Sequence, residues 1–310
     1  MAPAAAPELA RTVWMDGELV PWREATVHIM THSLHYGLAV FEGIRVYKTR
    51  RGSAAFRLDE HMVRLYRSAK ILGMDVPLPI QDLTRACIEV VKANEQDECY
   101  IRPLIYFGAG KLGLNNIGSP VRCAVMTWKW GSYLGDEGVK NGIRARISSY
   151  QRIHPNTFMT KAKCTGNYVN SQLARVEAVR DGFDEAILLD EQGYVVEGSG
   201  ENIFLAMGRE VETPPLSSAL DGITRDSVIR ILDAEGIRVR ETRLTRDRFY
   251  CADEVFFTGT AAEITPVREI DRRTIGEGRP GPLTREIQGL FRKVVSGEDP
   301  RFERWLSFLS

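Results

Sequence analysis

Apolar and polar positions along the chain follow two periods, and the periods alternate. Trp14-Met15-Asp16-Gly17-Glu18-Leu19-Val20 sets an Asp-Gly turn between short apolar-polar segments, a hairpin signature, so the chain opens with strands. Residues 36–47 carry aromatic and β-branched side chains and read as a strand interrupted by Gly37 and Gly43. Glycine inside a strand points to a bulge or a close approach to a ligand; the plainer alternative is a core strand with inward aromatics. Helical spacing takes over at residues 59–72, where Met62, Leu65, Tyr66, Ala69 and Leu72 form one stripe, Asp59 is a suitable N-cap and Gly73 a stop. A second helix is expected over 80–94, then strands over 98–108 and 122–128. The second half begins with a strand at 142–149. A helix follows over 166–180, with Val169, Leu173, Val176 and Val179 as its apolar stripe and Gly182 as its end. Strand segments over 185–189 and 194–197 flank a turn at 190–193, and 203–206 and 255–258 continue the strand-rich pattern. Helices are expected from Gly222 to Glu235 and over 284–295.

Length and composition place these elements. At 310 residues the chain exceeds one typical core, and the turn-rich run at 131–141 separates an N-terminal domain over 11–130 from a C-terminal domain over 142–310. Residues 1–10 form a leader rich in alanine and proline, without a basic n-region or an apolar h-region. Lysines plus arginines equal aspartates plus glutamates at 41 each, which leaves no electrostatic case for nucleic acid or an acidic membrane surface. A small-molecule partner is expected. Five scattered cysteines without a C-x-x-C pair argue against a disulfide framework or structural zinc and fit a soluble protein of the reducing cytoplasm. His28, His32 and His35 cluster, but their spacing matches no ligand pattern; they read as ordinary hydrogen-bonded histidines, and no metal is assigned.

Candidate chemistry centres on residues 155–168, where Lys161 and Lys163 stand in an otherwise uncharged run. A lysine that does chemistry must be a neutral amine, which takes burial or a neighbouring cation. In extended chain the two would share a face, each serving as the other's cation; the bland reading is two solvated lysines before a helix. Tyr100 and Arg102 share a strand face suited to a carboxylate. Arg64 lies off its helix stripe and by pattern alone is a surface arginine. Amides at a helix start near Gly222-Ile223-Thr224 and the hydroxyl-bearing turn Thr258-Gly259-Thr260 are each weak anion-site signals.

Five separated segments add a resemblance: Val40-Phe41-Glu42-Gly43-Ile44-Arg45, Tyr100-Ile101-Arg102-Pro103, Lys163-Cys164-Thr165-Gly166-Asn167-Tyr168, Val196-Glu197-Gly198-Ser199-Gly200-Glu201-Asn202 and Thr258-Gly259-Thr260-Ala261-Ala262-Glu263. Together, and in this order, they resemble the branched-chain amino acid aminotransferases, pyridoxal 5′-phosphate enzymes of fold type IV. The resemblance implies an α+β fold of two domains, a smaller N-terminal α/β domain and a larger strand-rich, cofactor-binding C-terminal domain. It implies Lys163 as the Schiff-base lysine and proton carrier, Glu197 at the pyridine nitrogen and Tyr168 at the phenolic oxygen. Arg64, the backbone of Ile223 and Thr224, and Thr260 would hold the phosphate. The substrate α-carboxylate would meet the Thr260-Ala261-Ala262 turn and Tyr100, and Arg102 would receive glutamate's second carboxylate. Tyr36, Phe41, Gly43, Arg45, Trp130 and Tyr133 would line the side-chain pocket, with Leu114 of the 108–119 loop reaching a neighbouring subunit's site in a homodimer or higher homo-oligomer.

The implied activity moves an amino group between leucine, isoleucine or valine and 2-oxoglutarate by ping-pong steps. Departures from the family pattern stand at Lys111, Asn116, Lys161 and Cys164. The alternatives on the same fold are a D-amino acid or (R)-amine aminotransferase and an aminodeoxychorismate-type lyase. A non-catalytic cofactor-binding protein is the third class.

Overall fold

The computed structural model describes residues 8–131 and 134–309. Most of the expected leader, and Tyr133, therefore lie outside the described residues. The chain divides into two compact units, Met1–Trp130 with Ala162–Gly166 and Val294–Ser310, and Gly131–Lys161 with Asn167–Lys293. Continuous domains over 11–130 and 142–310 do not describe this division, because the chain returns twice to the first unit. The returns have local causes: Cys164 makes a β-bridge to Val40, and Leu306–Phe308 pairs antiparallel with Gly52–Phe56.

The first unit is a fully antiparallel sheet. Its strands are β1 (Glu8–Leu9), β2 (Thr12–Met15), β3 (Glu18–Pro21), β4 (Ala39–Phe41), β5 (Ile44–Thr49), β6 (Gly52–Phe56), β7 (Cys99–Phe107) and β8 (Val121–Lys129), closed at one edge by Leu306–Phe308. The long β7–β8 pair runs in register from Tyr100 opposite Trp128 to Phe107 opposite Val121. Residues 36–47 are not one strand. His32–Tyr36 forms a short helix, α1, which Gly37 ends in the left-handed conformation at φ 71°; β4 and β5 then part at Glu42-Gly43. Ser33 explains the local choice, since its hydroxyl donates to the Leu38 carbonyl and accepts from Phe107 N–H, tying α1 to β7. Helices α2 (Leu58–Ile71) and α3 (Ile80–Ala93) cover one sheet face, and Met62, Leu65 and Ala69 are buried with Leu83, Val90, Ile44 and Ile101. The apolar stripe read from the sequence is thus the buried one in α2, and its burial is what holds the helix in place.

The second unit has a mixed sheet of β9 (Ile143–Gln151), β10 (Glu185–Leu189), β11 (Val195–Gly198), β12 (Asn202–Met207), β13 (Glu210–Thr213), β14 (Val239–Glu241), β15 (Glu254–Gly259), β16 (Glu263–Ile270) and β17 (Arg273–Thr274). Strand β9 runs parallel to both neighbours, β10 and β16, while β12, β15 and β16 form an antiparallel run. Its helices are α4 (Asp136–Asn141), α5 (Tyr168–Arg180), α6 (Ile223–Ala234), α7 (Arg246–Tyr250) and α8 (Pro282–Val295).

Helix α5 inverts the expected orientation. It buries Ser171, Ala174 and Ala178 against β9 and β10, while Val169, Leu173, Val176 and Val179 stay 45–59% exposed. Small residues on the inner face let the helix approach the sheet closely, and the larger stripe turns outward. No helix among the described residues is long and apolar enough to cross a membrane.

Candidate active site

Lys163 is held by its backbone before its side chain does anything. Its N–H donates to Ser68 Oγ on α2 at 3.0 Å, and its carbonyl accepts from Phe41 N–H on β4 at 3.1 Å. The Nζ then lies 4.9 Å from the centroid of the Phe41 ring. Burial, followed by the nearby Arg64 guanidinium, lowers its pKa to about 8 from the ordinary 10.5, against the pull of Glu42. The sequence required such a lowering, but its source is burial and Arg64, and Lys161 takes no part in it.

Beneath this lysine is a charged cluster that the sequence did not announce. Glu42, fully buried, accepts from Arg64 Nε at 2.6 Å and Nη2 at 2.8 Å, from His61 Nδ1 at 2.7 Å, and from Gly43 N–H at 3.2 Å. Burial alone would raise Glu42, yet Arg64 and His61 together hold it well below the usual carboxylate range. Burial lowers His61, so its imidazole is a neutral donor to a carboxylate. Arg64 is a buried arginine, not the surface residue its position off the stripe suggests. His61 and Arg64 are three apart on α2 and reach Glu42 together only because β4 and α2 pack.

The same unit assembles most of the expected side-chain pocket. Tyr100 is buried; its ring meets Trp130 edge-on at 4.8 Å and Trp128 at 5.1 Å. Gly43 is required by this packing: a Cβ there would stand 1.6 Å from the Tyr100 hydroxyl. The Arg102 guanidinium sits 4.6 Å from the Phe41 centroid, and its Nε is buried without a hydrogen-bond partner. Arg45 Nη1 donates to the Trp130 carbonyl at 3.3 Å. Tyr36 lies apart from this group, its hydroxyl accepting from Gly113 N–H at 3.1 Å in the loop that carries exposed Leu114. The histidines find local partners, His32 Nε2 at the Gly113 carbonyl and His35 Nε2 at the Ile29 carbonyl, both 2.9 Å.

In the second unit Glu197 is buried at the end of β11. It pairs with Arg152 Nε at 2.7 Å and accepts from Leu220 N–H at 3.1 Å and, more weakly, from Asn202 Nδ2 at 3.4 Å. Arg152 therefore keeps a negative charge in a buried place. Asn202 stands directly across from Thr258 on β15, and the N-cap of α6, Gly222, packs on Asn202 so tightly that a Cβ would meet its Oδ1 at 1.8 Å. The start of α6, with Ile223 and Thr224, thus converges on the end of β15, where Thr258 Oγ1 is buried and without a partner. Gly222 at the N-cap of α6 has no side chain to cap it, whereas Glu254 takes that place on α8 by accepting from Leu283 N–H and Thr284 N–H. Thr260, Ala261 and Ala262 form the hairpin turn between β15 and β16. Tyr168 opens α5.

Glu42, His61, Ser68, Arg152 and Asn202 are among the polar residues around the expected site that sequence reasoning left without a role. Glu42 and Asn202 stand inside the recognised segments and were legible as motif members; nothing in the sequence singles out His61 or Arg152.

Residues 39–270 match the family Amino-transferase class IV. The branched-chain-amino-acid aminotransferase of Pseudomonas aeruginosa is 46% identical over 293 residues, 94% of this chain and 95% of that protein. The crystal structure of the T.th. branched-chain amino acid aminotransferase with pyridoxamine 5′-phosphate is similar at TM-score 0.95 and 49% identity, covering 98% of this chain and 100% of that one. The same enzyme complexed with N-(5′-phosphopyridoxyl)-L-glutamate gives 0.93 and 48%, covering 97% and 99%. With its lysine, carboxylate and helix-start geometry set beside these likenesses, the chain belongs to the class IV aminotransferases and, among them, to the branched-chain-amino-acid aminotransferases.

Proposed function

We propose that this chain transfers amino groups between L-branched-chain amino acids and 2-oxoglutarate in ping-pong fashion, with pyridoxal 5′-phosphate as its cofactor. The observation that carries the reading is Lys163, an amine lowered to about 8 and pinned on both sides of its own backbone. The protein fits the cofactor in two further respects. The helix start of α6 beside the unpartnered Thr258 Oγ1 suits a phosphate, and a buried carboxylate paired with Arg152 suits a protonated ring nitrogen. When bound, the cofactor supplies an aldehyde carbon that takes up the amino group and a ring that draws electrons from the substrate α-carbon.

The chain's residues do the rest. Lys163 Nζ is neutral in roughly one molecule in ten at pH 7 and takes and returns the α-proton. Glu197 holds the proton on the ring nitrogen, and Tyr168 donates to the phenolic oxygen. Ile223 and Thr224 amides, Thr260 and Arg64 hold the phosphate. Arg64 has its Nε and one Nη2 N–H on Glu42, which orients the guanidinium. The α-carboxylate is received by the Thr260-Ala261-Ala262 turn and Tyr100.

Arg102 gives the pocket its second register. An apolar branched chain packs on Phe41, Trp130 and the bare backbone at Gly43, with Arg45 beside Trp130. Glutamate's second carboxylate satisfies the buried Arg102 Nε that otherwise lacks a partner. The T.th. relative complexed with N-(5′-phosphopyridoxyl)-L-glutamate supports glutamate as a substrate. We assign the chain to a homo-oligomer, since α5 presents an apolar stripe and Leu114 is exposed. Five free cysteines support a reducing cytoplasm.

The test is the visible spectrum of the cofactor-loaded protein. The band is expected to fall on adding L-leucine and return with 2-oxoglutarate; a band indifferent to leucine but responsive to D-alanine or (R)-amines would reverse the substrate assignment. For assembly, light scattering on Leu173→Asp is expected to show a smaller particle than the wild type, and an unchanged mass would remove α5 from the interface.

A further inference from the structure

We propose that Lys161 is a positioning residue for the phosphate end of the site, acting by clamping the loop that delivers α6. Its Nζ donates to the Leu216 carbonyl, to the Ala219 carbonyl at 3.0 Å and to Asp221 Oδ1 at 2.5 Å. These three acceptors use all the donors an ammonium has. All three belong to residues 214–222, an irregular run from the end of β13 to the start of α6. Such a run has no ladder to satisfy its carbonyls, and Ser218 and Ala219 within it are buried.

The clamp is tied to the site by its neighbours. Leu220, next to Ala219, donates its N–H to Glu197 and accepts from Asn202 Nδ2 at 3.1 Å. Gly222 follows, packed on Asn202, and then the amides of Ile223 and Thr224. Arg225 Nη2 holds the other end of the run through the Pro214 carbonyl at 3.1 Å. Between Leu216 and Asp221 it is Lys161 that gathers two carbonyls and a carboxylate to one point, so the direction in which α6 presents its first amides depends on it. Lys161 therefore acts on phosphate through backbone, never by contact, and its charge is spent within the loop and not on Lys163.

This inference rests on reading the α6 start as the phosphate site. The experiment measures equilibrium binding of pyridoxamine 5′-phosphate and of pyridoxamine, which lacks the phosphate, to cofactor-free wild type, Lys161→Met and Asp221→Asn. Charge-assisted hydrogen bonds of this kind bias an equilibrium by roughly tenfold. The Lys161→Met protein is expected to lose about that factor for the phosphorylated ligand and less than about twofold for pyridoxamine. Asp221→Asn, whose side chain is 40% exposed, is expected to show the same selective loss at smaller size. An equal loss for both ligands would make Lys161 a stability residue, and no loss would make it a bystander; either overturns the proposal. A wild type that binds the two ligands equally overturns the phosphate-site reading and the proposal with it.

Discussion

Replacing Lys163 by methionine is expected to make the cofactor-free protein more stable at pH 7, because the native lysine is held where its charge is unwelcome. The pKa falls from the ordinary 10.5 to about 8, and at ~1.4 kcal/mol per pH unit that difference is worth about 3 kcal/mol. Methionine forgoes the cation–π contact with Phe41, about 0.5–1 kcal/mol, so a net gain of about 2 kcal/mol remains. The backbone bonds to Ser68 and Phe41 do not involve the side chain and persist.

The sign of the pH dependence follows from linkage. Below about 8 lysine is protonated in both folded and unfolded chains, and the wild type carries the whole penalty. Between about 8 and 10.5 the unfolded chain binds the extra proton, so wild-type stability rises with pH relative to the variant, and the gap closes near 10.5. Thermal unfolding of both proteins at pH 7, 8.5 and 10 measures this, with an expected difference of about 3 °C at pH 7. A variant no more stable than wild type at pH 7 refutes the reasoning. So does a gap that stays constant across the series, which would trace the gain to packing.

Other outcomes follow from neighbouring geometry. Glu42→Gln leaves the buried Arg64 guanidinium without its counter-charge; a loss of about 3–5 kcal/mol in denaturant unfolding is expected. In the same variant Lys163 titrates lower than in the wild type, read from the pH at which a peptide-mapped acylating reagent half-modifies it, because Glu42 favours its charged form. Gly43→Ala forces Tyr100 off its place, costing about 1–3 kcal/mol of stability and raising KM for leucine; an unchanged KM would remove Tyr100 from the pocket. In the native protein a thiol reagent is expected to label Cys251 rapidly and the other four cysteines only on unfolding, since those four are buried, and burial pushes Cys99 and Cys123 up to about 12.

Much of the architecture was legible in the residues. The 59–72 stripe, the Asp16-Gly17 hairpin and strands β12 and β15 announce themselves by period and turn chemistry, whereas β16 does not. Residues 36–47 misled because Ser33 and Gly37 end a short helix at the point where the apolar run suggests continuous strand. In α5 the stripe was seen but not its direction. A stripe shows that a helix has two faces; which face turns inward depends on how near the sheet stands, and alanines at 174 and 178 settled that.

The amino-acid order by itself determined most of the elements and the spacing of the recognised segments, and through their resemblance the α+β class, since periodicity, turn residues and motif order are properties of neighbours along the chain. Tertiary structure alone decided how the charges are matched. Glu42 meets residues 19 and 22 positions away, and Lys161 meets acceptors 55, 58 and 60 positions away. Whether a buried amine is neutral, a carboxylate ionised or a lysine a clamp depends on desolvation and on counter-charges a few ångströms off, and only the packed chain brings those together.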